Sequence, residues 1–165
     1  MKKADNHGVQ GMTFGAMDAI INVLGIVVGL GVIGNKLAVV VGLLVAGMAN
    51  SMGNAVGFHV SEETEGIHTR KEVWLSTILC FVGTFSVTLI LLVPLLVLSL
   101  GAAMVVSAGM GICIMVVMAA VNGRRLGNSR KETAHLMLEY VIMGISVIVI
   151  AFYLGRFASG ILGTA

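Results

Sequence analysis

Long apolar runs, interrupted by a few short polar segments, dominate this chain. Three runs cover 14–34, 37–58 and 137–162, and a fourth, 73–123, holds 51 residues without a charge. A transmembrane helix needs about 20 apolar residues, so the fourth run is long enough for two crossings with a break at 99–101. The pattern predicts five transmembrane helices, over 14–34, 37–58, 74–99, 101–122 and 137–162.

Composition supports the same class of protein. Hydrophobic residues make up 58% of the chain and charged residues 11%, with a mean hydropathy of +1.03. In average soluble domains roughly 45–50% of the residues are hydrophobic and about 25% are charged. We therefore expect an all-α integral membrane bundle in a single transmembrane domain, 1–165, with polar loops at 59–73 and 123–136. The amino-terminal segment lacks a short apolar core with a cleavage site, so no cleaved signal peptide is expected.

The positions of the basic residues predict the orientation. Short loops that cross the membrane are depleted of lysine and arginine. Only Lys36 and Arg156 fall on one side of the five-span arrangement. The other eight lie opposite, at Lys2, Lys3, Arg70, Lys71, Arg124, Arg125, Arg130 and Lys131. We therefore expect the amino terminus and both polar loops to face the cytoplasm. The small net charge of +2, spread over these segments, gives no indication of nucleic-acid binding.

An aspartate within the first span is the strongest candidate for chemistry. Asp18 lies about a third of the way into that span, where a carboxylate costs at least a few kcal/mol. It is either a structural acid or an ion ligand and proton carrier, and the second interpretation is favoured. Asn22 follows one helical turn later on the same face.

The second span contains an unusual polar cluster. Asn50 and Asn54 share one helical face, Met52 stands between them in sequence, and Ser51 lies close by. If these residues face Asp18, the site combines carboxylate and amide oxygens with a thioether. Such a set suits iron(II) or manganese(II) better than calcium or magnesium.

Two groups of acidic residues and histidine flank the spans on the predicted cytoplasmic side. Glu65, His68 and Glu72 have spacing i, i+3, i+7, with Glu62 just before them. The same spacing recurs later in Glu132, His135 and Glu139. On a helix each trio would share one face, and glutamate followed three residues later by histidine occurs in di-iron carboxylate bundles. The alternative, that both are ordinary solvated segments, stays open.

Three segments resemble the vacuolar iron transporter family. They are GAMDAIINVLGIVVG in the first span, AGMANSMGNAVGFHVSEE in the second, and GISVIVIAFYLGR in the last. Asp18, the Ser51–Met52 pair, and Val60 with Ser61 before the glutamates carry the likeness, which covers about two thirds of the chain.

The resemblance implies a five-helix homodimer with its pathway at or near the interface. Such a protein exchanges iron(II) or manganese(II) for protons and moves the metal out of the cytoplasm. Asp18 and Met52 would bind the metal within the membrane, Asp18 would couple it to protons, and the loop glutamates would bind metal on the cytoplasmic side. Its partners would be the metal ion, protons and the lipid bilayer, with no permanently bound cofactor.

Two other functions remain open at this point. One is a non-transporting membrane protein, such as a metal sensor or assembly protein, in which Asp18 only holds helices together; the other is a passive cation channel. No nucleophile beside a base and no nucleotide-binding motif is present, so an enzyme is not expected. The compact loops favour a prokaryotic cell membrane over an organellar, vacuolar-type membrane.

Overall fold

Five helices make up almost the whole chain. The computed structural model describes the backbone of residues 4–163 and the side chains of residues 8–163. Each helix is long and apolar enough to cross a membrane, as expected of a multi-pass membrane protein. The predicted all-α, five-helix architecture is confirmed. The helices are α1 (Ala4–Gly31), α2 (Lys36–Glu65), α3 (Arg70–Val97), α4 (Leu100–Arg125) and α5 (Arg130–Leu162).

The connections between helices are shorter than the sequence suggested. The polar stretches 59–73 and 123–136 were expected to be loops, yet the only non-helical parts there are 66–69 and 126–129. Hydropathy reports where a helix leaves the apolar layer and not where its backbone hydrogen bonds end. Glutamate, lysine and arginine are good helix formers, so α2 and α5 continue through the polar residues.

Four of the five helices are followed by a glycine with positive φ. These are Gly34 after α1, Gly66 after α2, Gly127 after α4 and Gly163 after α5, with φ between 67° and 79°. Glycine adopts this conformation without the penalty that a Cβ would bring.

The end of α3 has a different cap. The Lys36 ammonium donates a hydrogen bond to the Leu98 carbonyl at 2.8 Å, just beyond the last residue of α3. A cation there also complements the negative end of the helix dipole.

The described chain forms two compact units. The first comprises residues up to Ala19 and Leu44–Ile90, and the second comprises Ile20–Leu43 and Leu91–Ala165. Helices α1, α2 and α3 each contribute a segment to both.

In the first unit, small residues allow α1 and α3 to approach closely. A Cβ on Gly11 would collide with the Ser76 carbonyl, and one on Gly15 would collide with the Cys80 carbonyl. The same Gly15 Cβ would lie 2.5 Å from Thr84 Oγ1. Residues four apart on α1 therefore meet residues four apart on α3, the small-residue packing common between membrane helices.

In the second unit, α4 buries one stripe of residues. Every fourth position is buried, at Ala103, Ser107, Gly111, Met115, Ala119 and Gly123. The Ser107 hydroxyl donates a hydrogen bond to the Leu91 carbonyl of α3 at 3.0 Å. Leu91 lies three residues before Pro94, whose nitrogen carries no proton to donate within the helix. By contrast, α5 buries only Gly144 and Ser159, and its other side chains are at least partly exposed.

Candidate functional site

A carboxylate within the first unit is held by two amides of another helix. Asp18 of α1 is half-buried, and its Oδ2 accepts hydrogen bonds from Nδ2 of Asn50 and Nδ2 of Asn54, each at 2.6 Å. Asn50 and Asn54 are one turn apart on α2 and therefore project from the same face. The structure thus brings together three of the predicted site residues, as the polar positions in the two spans indicated.

The hydrogen-bond network continues into α3 through Thr84. Nδ2 of Asn54 also lies 3.4 Å from Oγ1 of Thr84, and that hydroxyl donates to the Cys80 carbonyl at 2.9 Å. Since the hydroxyl proton goes to the carbonyl, the oxygen is left to accept from the amide. Thr84 is fully buried, and sequence reasoning missed it.

An open groove approaches this network along α2. A cavity of about 330 Å³ is lined by Phe14, Gly53, Asn54, Gly57, Phe58 and Ser61, all of the first unit. A Cβ on Gly53 or Gly57 would meet nothing within 4 Å. The missing side chains of these two glycines leave space beside Asn54, one of the two amides that contact Asp18.

One other predicted residue, Met52, lies away from this network. Met52 is 54% exposed, and at about 100° per residue it points to the side of α2 opposite Asn50 and Asn54. The structure therefore does not place Met52 at the carboxylate within one chain, and its role as a ligand stays a prediction. Asn22 is half-buried and belongs to the second unit.

The first acidic trio is not arranged as predicted. Glu65 ends α2 and Glu72 lies in α3, so the expectation that Glu65, His68 and Glu72 share one helical face is wrong. Gly66, the residue after α2, has a positive φ and turns the chain back. As a result, His68 Nε2 lies 3.4 Å from Glu65 Oε2 and 3.5 Å from Glu62 Oε2.

The carboxylates of Glu62 and Glu72, on either side of this turn, differ in their hydrogen bonding. Glu62 is 4% exposed, and its Oε2 has no hydrogen-bond partner among the described residues. The Glu72 carboxylate instead accepts bonds from the amide and hydroxyl of Thr69, at 2.9 and 2.8 Å, just before α3. A buried carboxylate with an unsatisfied oxygen is costly unless a cation or donor approaches it.

The second trio lies on α5, as predicted, but its members also have different partners. His135 Nε2 is 3.5 Å from Glu139 Oε1, and both side chains are largely exposed. The Glu132 carboxylate turns back to the amide of Ser129, at 2.7 Å, and completes a capping box at the start of α5. The position of Glu132 in the sequence is therefore compatible with a metal ligand and with a helix cap alike.

Metal binding by three or more residues is not preformed in the described part of the chain. No cluster of three histidine, cysteine, aspartate or glutamate side chains there is compact enough to hold an ion. Glu62 and His68 form the more buried candidate, and Asp18 contacts the amides of Asn50 and Asn54. An ion at either place would need ligands from amide or hydroxyl oxygens, from water, or from side chains that move.

Comparison with known proteins adds no assignment. No protein-family model and no curated protein matches the chain.

Proposed function

We propose that this protein is a proton-coupled transporter that moves iron(II) or manganese(II) out of the cytoplasm, with Asp18 carrying metal and proton in turn. The observation that carries the proposal is the pair of 2.6 Å amide contacts to one carboxylate oxygen between apolar helices. A carboxylate is expensive in the bilayer and is expected there chiefly where an ion or proton passes.

The two amides can serve either state of such a carboxylate. Without metal, Asn50 and Asn54 donate N–H bonds that stabilise the negative charge of Asp18. A divalent cation at the carboxylate would repel those N–H groups, so each amide would turn and present its carbonyl oxygen to the ion. A protonated Asp18 would likewise donate its O–H to one of these carbonyl oxygens. Metal and proton therefore compete, and metal affinity falls as pH falls.

Access from the cytoplasm would follow the groove beside Gly53 and Gly57. It reaches Asn54 at one end and Ser61 at the other, in the last turns of α2. Glu62, Glu65 and His68 lie beyond Ser61, and their carboxylates and imidazole would concentrate a divalent cation there.

A homodimer would account for Met52. Its thioether is exposed within one chain, so it would reach a transported ion only where α2 faces a second copy. Thioether ligation would favour iron(II) or manganese(II) over calcium and magnesium.

A structural role for Asp18 is the second candidate, and it also has an observation in its favour. Both contacts to Oδ2 are N–H donors, which is what a structural acid requires. In that case the protein would be a membrane metal sensor or assembly protein without transport. Flux that needs no pH gradient would indicate a channel instead.

Uptake of Mn²⁺ into proteoliposomes distinguishes these functions. The transporter is expected to accumulate Mn²⁺ when the lumen is acidic and to stop when the gradient is dissipated. Asp18→Asn keeps an amide acceptor for the two asparagines but loses the charge, so uptake should fall to the level of protein-free liposomes. Ser146→Ala is the matched control, because among the described residues Ser146 donates to the Ile142 carbonyl of its own helix and to no other group.

Three results would contradict the proposal. Wild-type uptake by Asp18→Asn together with Asp18→Ala would leave Asp18 only a structural role. Equal uptake with and without the gradient would indicate a channel. A Mn²⁺ affinity that does not weaken between neutral and acidic pH would exclude competition at one carboxylate.

A further inference from the structure

His59, near the end of α2, has an imidazole whose orientation is fixed by two neighbours on α3. Its Nδ1 lies 2.8 Å from Thr77 Oγ1, and its ring meets the Trp74 ring edge-on with centroids 4.8 Å apart. The side chain is 20% exposed. Two contacts from a second helix leave this ring little freedom to turn.

The hydrogen bonds around Thr77 determine which nitrogen of His59 carries the proton. The Thr77 hydroxyl donates its only proton to the Val73 carbonyl at 2.7 Å. Its oxygen can therefore only accept from the imidazole, so Nδ1 of His59 is the donor. In the neutral ring Nε2 then carries a lone pair. This arrangement, one ring nitrogen held by a hydrogen bond and the other left as a base, is the usual one for histidines that bind metals.

A carboxylate stands opposite that lone pair. Nε2 of His59 is 3.5 Å from Oε1 of Glu63, one turn further along α2. This distance is longer than an N–H···O hydrogen bond. Two ligand atoms each about 2.1 Å from one ion in a tetrahedral arrangement lie about 3.4 Å apart, so the separation leaves room for a shared ion.

The pair opens on a cavity that holds a second imidazole. The cavity measures about 460 Å³ and is lined by His59, Glu63, His68, Arg70, Val73 and Trp74. The carboxylates of Glu62 and Glu65 lie 3.5 and 3.4 Å from His68 Nε2, and the Glu62 oxygen there has no hydrogen-bond partner in the described chain. The Glu63 carboxylate and the Arg70 guanidinium therefore line the cavity, and the carboxylates of Glu62 and Glu65 contact His68, which also lines it.

We propose that this cavity binds a divalent transition-metal ion, with Nε2 of His59 and the carboxylate of Glu63 as its first ligands. Water completes the coordination, and His68 lines the same cavity. Imidazole and carboxylate together suit transition metals better than calcium or magnesium. The inference deepens the proposed function, on which it rests for its role: the cavity receives the metal on the side of the membrane from which Asp18 is loaded.

Cobalt(II) titration of the purified protein, followed by visible absorption, tests the site directly. Removing Nε2 with His59→Ala or the charge with Glu63→Gln should weaken Co²⁺ binding at least about tenfold. Thr77→Val removes only the hydrogen-bond partner of Nδ1 and should weaken binding by about 10- to 100-fold, as other partners of metal-bound histidines do. Glu63 is 59% exposed, so Glu63→Gln is not expected to disturb folding.

His135→Ala is the matched control. His135 and Glu139 form the same i, i+4 pair at 3.5 Å, but His135 is 74% exposed and no described hydrogen bond fixes its ring. It should leave Co²⁺ affinity within about twofold. Unchanged affinity in both His59→Ala and Glu63→Gln would overturn the site, as would an equal loss in His135→Ala.

The same titration separates this inference from the proposed function. In Asp18→Asn the cavity should bind Co²⁺ as in the parent protein, even though transport is lost. If Asp18→Asn transports normally while His59→Ala loses Co²⁺ binding, the proposed function fails and the site stands. If His59→Ala binds Co²⁺ normally while Asp18→Asn loses transport, only the site fails.

Discussion

Asp18 is held by two amides, one of which also contacts a buried hydroxyl. Asn54 contacts both Asp18 Oδ2 and Thr84 Oγ1, and Thr84 is anchored by the Cys80 carbonyl. If Asp18 binds a metal ion as proposed, turning the Asn54 amide towards that ion would break both contacts at once. Thr84 would then contribute to the balance between the metal-free and metal-bound states through Asn54.

Thr84→Val tests this contribution, because it keeps the shape of the side chain and removes the hydroxyl. A hydrogen bond contributes about 1 kcal/mol net, so we expect a change of about fivefold in the Mn²⁺ concentration that gives half-maximal uptake. Thr88→Val is the control, since Thr88 makes the same bond to its own helix, at 2.9 Å to the Thr84 carbonyl. Equal effects of the two variants on uptake would show that the Asn54 contact does not matter.

Sequence reasoning at this scale found the residues that are conspicuous in an apolar span. A carboxylate and two amides stand out there, and helical spacing put Asn50 and Asn54 on one face. The same spacing puts Met52 on the opposite face of α2, and its place in the predicted site came from its neighbours in sequence and from the family resemblance. Thr84 was missed because a threonine can bond to its own helix and therefore needs no polar partner.

Two helices carry pairs of glycines four residues apart, a spacing that allows another helix to pack closely. Gly25 and Gly29, and likewise Gly53 and Gly57, have the spacing of a helix-packing face. Among the described residues, a Cβ on Gly29 would lie 3.4 Å from the Ala151 carbonyl oxygen, whereas a Cβ on any of the other three would meet no side chain or neighbouring helix within 4 Å. Spacing identifies a face suited to packing, but the partner is decided by the fold.

Gly15→Ala should destabilise the protein, whereas Gly53→Ala should not. The methyl group at position 15 would strike the Cys80 carbonyl of a neighbouring backbone, an overpacking that costs about 1–3 kcal/mol. At position 53 the space is open, and alanine should add about 0.5–1 kcal/mol through its better helix propensity. Unfolding in mixed micelles by added sodium dodecyl sulfate measures both. A loss in Gly53→Ala as large as that in Gly15→Ala would contradict this account of the packing.

For the whole molecule, the number of helices was predictable and their ends were not. Apolar length fixes the number of crossings, since each must bridge about 30 Å of hydrocarbon. The ends depend on caps such as Gly66 and the Ser129–Glu132 box, which operate beyond the apolar layer. The acidic residues at the end of α2 were therefore assigned to a loop although they lie in the helix, and their role in metal binding stays a prediction.

The proposed orientation leads to a labelling experiment. Leu126 and Leu162 are each 74% exposed, one between α4 and α5 and the other at the end of α5. With Cys80 and Cys113 replaced by serine, Leu162→Cys should react with a membrane-impermeant maleimide on intact cells. Leu126→Cys should react only after permeabilisation. The reverse pattern would place the basic segments outside and contradict export from the cytoplasm.

The hydrogen bond from Lys36 to the Leu98 carbonyl also has a consequence for the order of assembly. Its acceptor, the Leu98 carbonyl, lies 62 residues further along the chain. At about 5–20 residues per second, a ribosome needs about 3–12 s to supply that acceptor after Lys36 has been made. During this interval Lys36, at the start of the second helix, lacks this acceptor. The hydrogen bond can form only after the third helix has been made, so it follows the synthesis of the first two helices.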